Sequence, residues 1–289
     1  MADHTLKMPD GRTVGYCDYG EPGGVPVLWC HGGPGSRKEP AGAAAGVADA
    51  SLDLRLIGID RPGYGLSTPQ PGRTIGGWCS DALAVADALG LGRFLTAGIS
   101  TGGGYALALA ANAPERVAGV VASCANTDMH HAPAAEGMPG VWNHDVWNAP
   151  DREAAISLTQ DRFGEDGSKM LGLFTDLSKA DMAVLADPAM LANAEANRRE
   201  NFAFGVQGFV DDRIADGPHG PGWRSFDVGA IECPVILVHG GEDTLIPVFM
   251  AHHTASLIPH ADLRIYDELG HISIIPQTLM ALNDLARHF

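Results

Sequence analysis

The chain is poor in several things, and each shortage narrows what it can do. Basic residues are scarce: 19 lysines and arginines stand against 35 aspartates and glutamates, a formal charge of −16 at pH 7. Such a field repels a phosphate backbone, so no nucleic-acid partner is expected, and neutral substrates are favoured over strongly anionic ones. The five cysteines, Cys17, Cys30, Cys79, Cys124 and Cys233, are odd in number, scattered and without C-x-x-C spacing. Neither a disulfide framework nor a metal site is expected from them, and they suit a reducing compartment. No apolar run has the length that spans a bilayer. Met1-Ala2-Asp3-His4-Thr5-Leu6 has no basic stretch leading into an apolar one, so no signal peptide is expected and the chain reads as cytoplasmic, without a membrane partner. Internal repeats and low-complexity tracts are lacking too.

What is present is an ordinary globular composition, 45% apolar and 19% charged over 289 residues, enough for one large domain or a core domain with an insertion. Thr5 to Met8 and Thr13 to Asp18 flank Pro9-Asp10-Gly11-Arg12 and predict a hairpin. Val25 to Cys30 and Leu54 to Ile59 are apolar, buried-strand candidates, each ending in a glycine-rich turn. Residues 74 to 89 have helical periodicity, and Val117 to Ala122 is a further strand candidate. Strands alternating with helices imply a mostly parallel sheet covered on both faces. From about residue 127 to 228 the pattern turns helical, with Asp187-Pro188 as a predicted helix start. That stretch holds three tryptophans (142, 147, 223) and six phenylalanines (163, 174, 202, 204, 209, 226), expected chiefly to form its own core. Sheet character resumes at Pro234 to His239, and a helix, a strand at Leu263 to Tyr266 and a C-terminal helix complete the order. The expected division is a catalytic domain of 1–126 and 229–289 with a helical cap of 127–228.

The chemistry centres on Gly98-Ile99-Ser100-Thr101-Gly102. An apolar strand run, Phe94 to Ala97, enters it and a helix-forming run, Tyr105 to Ala111, leaves it, so a serine stands at the apex of a sharp strand-to-helix turn. Two further segments follow predicted strands: Gly240-Gly241-Glu242-Asp243 and Leu269-Gly270-His271. Together they resemble the α/β-hydrolase fold family. The resemblance covers essentially the whole chain, with motifs in the two outer segments and only topology in the insertion. It implies an eight-stranded, mostly parallel sheet with a helical cap inserted after the sixth strand. It also implies a cofactor-free serine hydrolase in which Ser100 is the nucleophile, His271 the base and Asp243 the acid, in the chain order Ser, Asp, His.

These residue types suit the task. A serine hydroxyl is a weak nucleophile until a neutral imidazole takes its proton, and a carboxylate on the other ring nitrogen fixes the tautomer and stabilises the cation formed. The oxyanion needs donors, expected from the N–H of Thr101 and, because His31-Gly32-Gly33-Pro34-Gly35 resembles the family's oxyanion loop, from the N–H of Gly33. Asp128 is a rival for the acid. His31 and His239 read as structural, as does the turn Asp60-Arg61-Pro62-Gly63-Tyr64-Gly65. The pairs His130-His131 and His252-His253 read as solvated residues. The leading expectation is hydrolysis of a small or medium neutral carboxylic ester, or a lactone, through an acyl-enzyme. The oxyanion loop also resembles that of prolyl iminopeptidases, which hold the substrate amine with cap carboxylates; Glu195, Glu200, Asp211 and Asp212 are the candidates for that role. Against this, Ile99 and Thr101 flank the serine where those enzymes carry Gly and Trp. A ligand-binding receptor on the same fold is the third alternative. The expected partner is a small-molecule substrate, with monomer and homodimer both open.

Overall fold

Long apolar strands need cover on both faces, and the chain supplies it with helices on either side of one sheet. The computed structural model describes residues 3–138, 144–173 and 175–289. The first part runs β1 (Asp3–Lys7), β2 (Thr13–Tyr19), β3 (Val25–Cys30), α1 (Pro40–Asp49), β4 (Leu54–Ile59), α2 (Ile75–Ala88), β5 (Phe94–Ile99), α3 (Thr101–Asn112) and β6 (Val117–Ser123). A mainly helical stretch follows: α4 (Ala132–Gly137), α5 (His144–Trp147), α6 (Arg152–Phe163), α7 (Lys179–Leu185), α8 (Pro188–Asn201), the short strand β7 (Ala203–Val206) and α9 (Gln207–Asp216). The sheet then resumes with β8 (Val235–Gly240), α10 (Phe249–Leu257), β9 (Asp262–Tyr266) and α11 (Ile275–Ala286).

Eight strands share one sheet in the order β1-β2-β4-β3-β5-β6-β8-β9. The β1–β2 hairpin pairs antiparallel with itself and with β4, and the remaining neighbours are parallel. The expected α/β-hydrolase architecture is therefore present. Central strands β5 and β8 are buried along their whole length, as parallel strands covered on both faces should be. Alternate residues of β3 feed opposite faces: Leu28 joins the core beneath α2 and α3, while Val27 and Trp29 join the one beneath α1 and α11. That two-residue alternation is how one strand knits two apolar layers.

Between β6 and β8 the packing divides. Phe163, Phe202 and Phe209 form a separate cluster with Val146 and Val210, which is the independent core expected of those aromatics. Trp223 and Phe226 instead pack into the core beneath α2 and α3, Trp147 packs against a methionine-rich cluster around Met129 and Met250, and Phe204 is exposed. The tail of the insertion thus belongs energetically to the sheet; its apolar periodicity alone does not reveal which layer it meets. Trp142 and Phe174 lie outside the described residues. The helix start at Asp187-Pro188 is present, with the Asp187 side chain accepting from the Ala189 N–H at 2.8 Å.

The strand-to-helix turn after β5 is tightly packed. A Cβ on Gly102 would stand 2.0 Å from the Cys30 carbonyl oxygen, and one on Gly98 would stand 2.1 Å from the Gly102 oxygen. Both contacts are with backbone, which has nowhere to go. Gly102→Ala should therefore destabilise the fold by about 3 kcal/mol or more, whereas Gly92→Ala, with open space around it, should stay within about 0.5 kcal/mol of wild type. Urea unfolding of the two variants checks the contrast.

Candidate active site

Ser100 occupies the apex of that turn with φ +55° and ψ −127°, a conformation that non-glycine residues seldom hold and that functional sites retain when the surroundings enforce it. Its N–H donates to Ser123 O at 3.0 Å, and its carbonyl accepts from the Gly103 N–H at 3.0 Å. The side chain is thereby lifted off the sheet into a cavity of about 510 Å³ that His271 also lines.

His271 follows β9, and its Nδ1–H donates to Asp243 Oδ2 at 2.8 Å. Asp243 follows β8, is buried, and is held by the N–H groups of Leu245 and Ile246, both at 2.9 Å on Oδ1. Burial works against the charged imidazole, but the Asp243 carboxylate, by charge and by hydrogen bond, outweighs it and raises the His271 pKa above 6.5. Burial likewise pushes the Asp243 carboxyl up, and the His271 ring more than offsets it, holding that carboxyl below its usual range. The rival acid, Asp128, accepts instead from His130 Nδ1 at 2.8 Å, so the structure brings Asp243, and not Asp128, to the histidine.

The loop His31-Gly32-Gly33-Pro34-Gly35, expected to receive the oxyanion, leaves β3 and runs past the turn. A Cβ on Gly33 would stand 2.8 Å from Thr101 Oγ1, so the two expected donors are neighbours. Thr101 opens α3, where first-turn N–H groups have no intrahelical acceptor. The loop itself is braced. His31, wholly buried, accepts the Arg61 N–H on Nε2 at 3.1 Å and faces the Gly32 carbonyl with Nδ1 at 2.7 Å. Burial first, then the Arg61 charge, push its pKa well below 6.5, and with both ring nitrogens engaged it serves as a support of the loop. Arg61 also donates to the carbonyls of His31 and Gly32.

Behind Arg61 stands Asp212 of α9, fully buried. It accepts from Arg61 Nη2 at 2.7 Å, Arg73 Nη2 at 2.7 Å, Tyr64 Oη at 2.7 Å and Tyr105 Oη at 2.9 Å. Burial alone would raise this carboxyl; Arg61 and Arg73 reverse the effect and hold it well below its usual range. The same helix carries Arg213, which donates to Thr101 Oγ1 at 2.6 Å and pairs with Asp216.

The carboxylates considered for an amine site are all engaged elsewhere. Asp212 holds Arg61 and Arg73, Asp211 holds Arg152, Glu200 holds Arg37 and Lys38, and exposed Glu195 holds Arg198. Among the described residues, the carboxylate that lines the cavity is Glu39, which accepts from Trp29 Nε1 and the Gly32 N–H, both at 2.8 Å. Sequence reasoning did not single out Glu39, Arg213 or the asparagines of α8 at 193, 197 and 201 that face the cavity. The four-residue spacing of those asparagines, one helical face, was the available signal.

The histidine pairs are not simply solvated. His131 and His253 stack at 3.8 Å, and His253 Nδ1 contacts Thr127 Oγ1 at 2.9 Å; His130 is held by Asp128 and the Gly220 carbonyl, and His252 is exposed. His239 Nε2 is bound to Ile246 O at 2.8 Å. Among the described residues, Cys124, His239 and Asp243 have donor atoms within 4.8 Å of one another, but Asp243 and His239 are committed as described. Burial raises the Cys124 thiol pKa well above its usual value, which disfavours the thiolate a metal needs.

The sheet order and these strand-end loops define an α/β hydrolase. The sequence profile of the alpha/beta hydrolase fold matches residues 25–277, and the chain belongs to that family. It is similar to 2-hydroxymuconate semialdehyde hydrolase of Pseudomonas putida, 31% identical over 261 residues, covering 88% of this chain and 82% of the relative. A shorter stretch of 119 residues, 40% of this chain and 37% of the relative, is 37% identical to proline iminopeptidase of Neisseria gonorrhoeae. Among solved structures, the enol-lactonase of Burkholderia xenovorans superposes with a TM-score of 0.71 over 99% of this chain and 98% of its own, at 18% identity. The described residues include no helix long and apolar enough to cross a membrane.

Two outcomes follow from the site. Asp212→Asn leaves two buried guanidinium groups short of counter-charge and should lower stability by about 3–5 kcal/mol, read by urea unfolding. If His271 acts as a base it must be neutral, so kcat/KM should fall as pH drops through a midpoint above 6.5. Asp243→Asn, which removes the charge that raises it, should move the midpoint down while costing about 10⁴-fold in kcat, read from a pH–rate profile.

Proposed function

We propose that the protein is a serine hydrolase that cleaves a small or medium neutral carboxylic ester, lactones included, through an acyl-enzyme. The observation that carries this reading is the convergence on one cavity of a serine in a strained turn and a histidine already paired with a buried carboxylate. Ser100 Oγ attacks the ester carbonyl carbon as His271 takes its proton on Nε2. The carbonyl oxygen gains the negative charge and is met by the N–H groups of Thr101 and Gly33. The tetrahedral centre then collapses, the bond to the alcohol oxygen breaks, and His271 returns the proton to the leaving alkoxide. Water, deprotonated by His271, attacks the acyl carbon; the bond to Ser100 Oγ then breaks, His271 returns the proton to that oxygen, and the acid leaves with Ser100 restored.

Residues 127–228 serve in this reading as a cap over a catalytic domain of 1–126 and 229–289, and the chain works in the cytoplasm. Cap and core share the cavity: Met138, Val184, Leu185 and Met190 supply apolar wall, while Asn193 and Asn197 offer neutral hydrogen-bonding groups. Such a lining suits an uncharged substrate with an apolar acyl chain and a polar group at one end. The aminopeptidase reading is weaker, because the four carboxylates considered for the amine are each neutralised by a guanidinium or ammonium group.

Assay of p-nitrophenyl esters of graded acyl length, a lactone, proline p-nitroanilide and 2-hydroxymuconate semialdehyde, with Ser100→Ala as the control, tests the proposal. Ester or lactone turnover should exceed that of the anilide, and Ser100→Ala should lower kcat about 10⁶-fold. Unchanged turnover in Ser100→Ala would refute the nucleophile. Ligand binding without turnover would favour the receptor.

A further inference from the structure

The loop that carries His271 is wrapped around a carboxylate from a different part of the chain. Asp181 lies in α7, within the helical stretch between β6 and β8, and is fully buried. Its Oδ2 accepts the N–H of His271 at 2.8 Å, and its Oδ1 accepts the N–H groups of Ile272 at 2.9 Å and Ser273 at 2.8 Å, with the Ser273 hydroxyl at 2.8 Å as a fourth donor. Ser273 Oγ in turn accepts the Gly270 N–H at 2.8 Å, which closes the loop on itself. Successive N–H groups converging on one anion form a backbone nest, whose shape depends on the anion it encloses.

Local sequence makes this geometry unusual. Ser178 caps α7 by accepting the Asp181 N–H at 3.1 Å, which places Asp181 three residues after the cap. An acidic residue there ordinarily turns back to the cap's own N–H. Here it turns outward, to the histidine loop, and the fit is close: a Cβ on Gly270 would stand 2.3 Å from Asp181 Oδ2 and 2.4 Å from Ser178 Oγ. The following residues of the same helix, Val184 and Leu185, line the cavity.

We infer that Asp181 is a positioning residue for catalysis: a carboxylate carried by the cap fixes the His271 loop, so that the base is in place only while α7 is docked on the core. A substrate that fills the cavity touches the helix that holds the base, and occupancy and alignment are thereby linked. The inference rests on the serine-hydrolase reading, in which His271 is the base. The charge also matters. The groups facing His271 are Asp243 and His239 from the β8 end, Glu39 from the approach to α1 and Asp181 from α7. Removing the Asp181 carboxylate withdraws one of the negative charges that favour the imidazolium, so the histidine should stay neutral to a lower pH.

The test uses the full chain and an alkyl fluorophosphonate, which needs no knowledge of the substrate: Ser100 Oγ bonds to phosphorus, fluoride leaves, and His271 takes the serine proton. Labelling rates are measured across the acid and neutral range for wild type, Asp181→Asn and Asp181→Ala, beside their urea unfolding. The nearly isosteric Asp181→Asn carries the test if Asp181→Ala does not fold. Expected is a fall of about 10- to 100-fold in folded Asp181→Asn, as misplacement by a fraction of the reacting distance brings, together with a lower midpoint for the acid limb. Labelling at the wild-type rate would overturn the inference, as would slowing with an unmoved midpoint, which a purely structural role produces. Failure of the wild type itself to label would refute the serine-hydrolase reading instead, so the two failures are told apart.

Discussion

The carboxylate of Asp212 is the contact on which the rest of the site hangs. It gathers two guanidinium groups and two phenols in a place from which water is excluded. The four partners come from three segments: Arg61 and Tyr64 from the turn after β4, Arg73 from the approach to α2, and Tyr105 from α3, the helix that follows Ser100. In a low-dielectric interior a half-satisfied cluster of this kind is worse than none. All of these elements must therefore arrive together, and α9 with them. Because Arg61 also holds the carbonyls of His31 and Gly32, the position of the loop after β3 depends on a residue about 180 places further along the chain.

The same device appears twice. Asp212 of α9 reaches the loop expected to receive the oxyanion, and Asp181 of α7 reaches the loop that carries His271. The helical stretch between β6 and β8 therefore does more than roof the cavity. Its apolar side chains shape the substrate's surroundings, while its buried carboxylates fix loops that the sheet leaves as irregular backbone. The sheet contributes the one feature that no insertion could supply, the crowded turn at Ser100, where glycine at 98 and 102 lets three backbone segments meet at distances that a Cβ forbids.

The fold was legible because it is written in local signals. Mainly apolar runs of four to six residues marked the parallel strands, glycine-rich turns marked several of their ends, and Asp187-Pro188 marked a helix start. The pairing of His271 with Asp243 was what the resemblance of their two turns to the family's acid and histidine loops implied, with Asp128 as the rival. What sequence could not disclose were contacts made across long separations by buried charges. Asp181 carries the signature of a helix start, Ser178-x-x-Asp181, and nothing local tells that its side chain turns away from the cap. Asp211 and Asp212 read as free acids available to a substrate amine, because the arginines that neutralise them lie about 60 to 150 residues away. Trp223 and Phe226 read as cap residues, since apolar character does not say which layer a side chain will meet.

A serine hydrolase of the kind proposed passes through a covalent acyl-enzyme at Ser100. The most direct measurement is intact-protein mass spectrometry of samples acid-quenched during turnover of a slowly released acyl ester, followed by peptide mapping. A Ser100 nucleophile gives a mass increase equal to one acyl group, confined to the peptide that contains Ser100 and decaying as substrate is exhausted. Turnover with no adduct under conditions where release is slow, or an adduct on another residue, would contradict it.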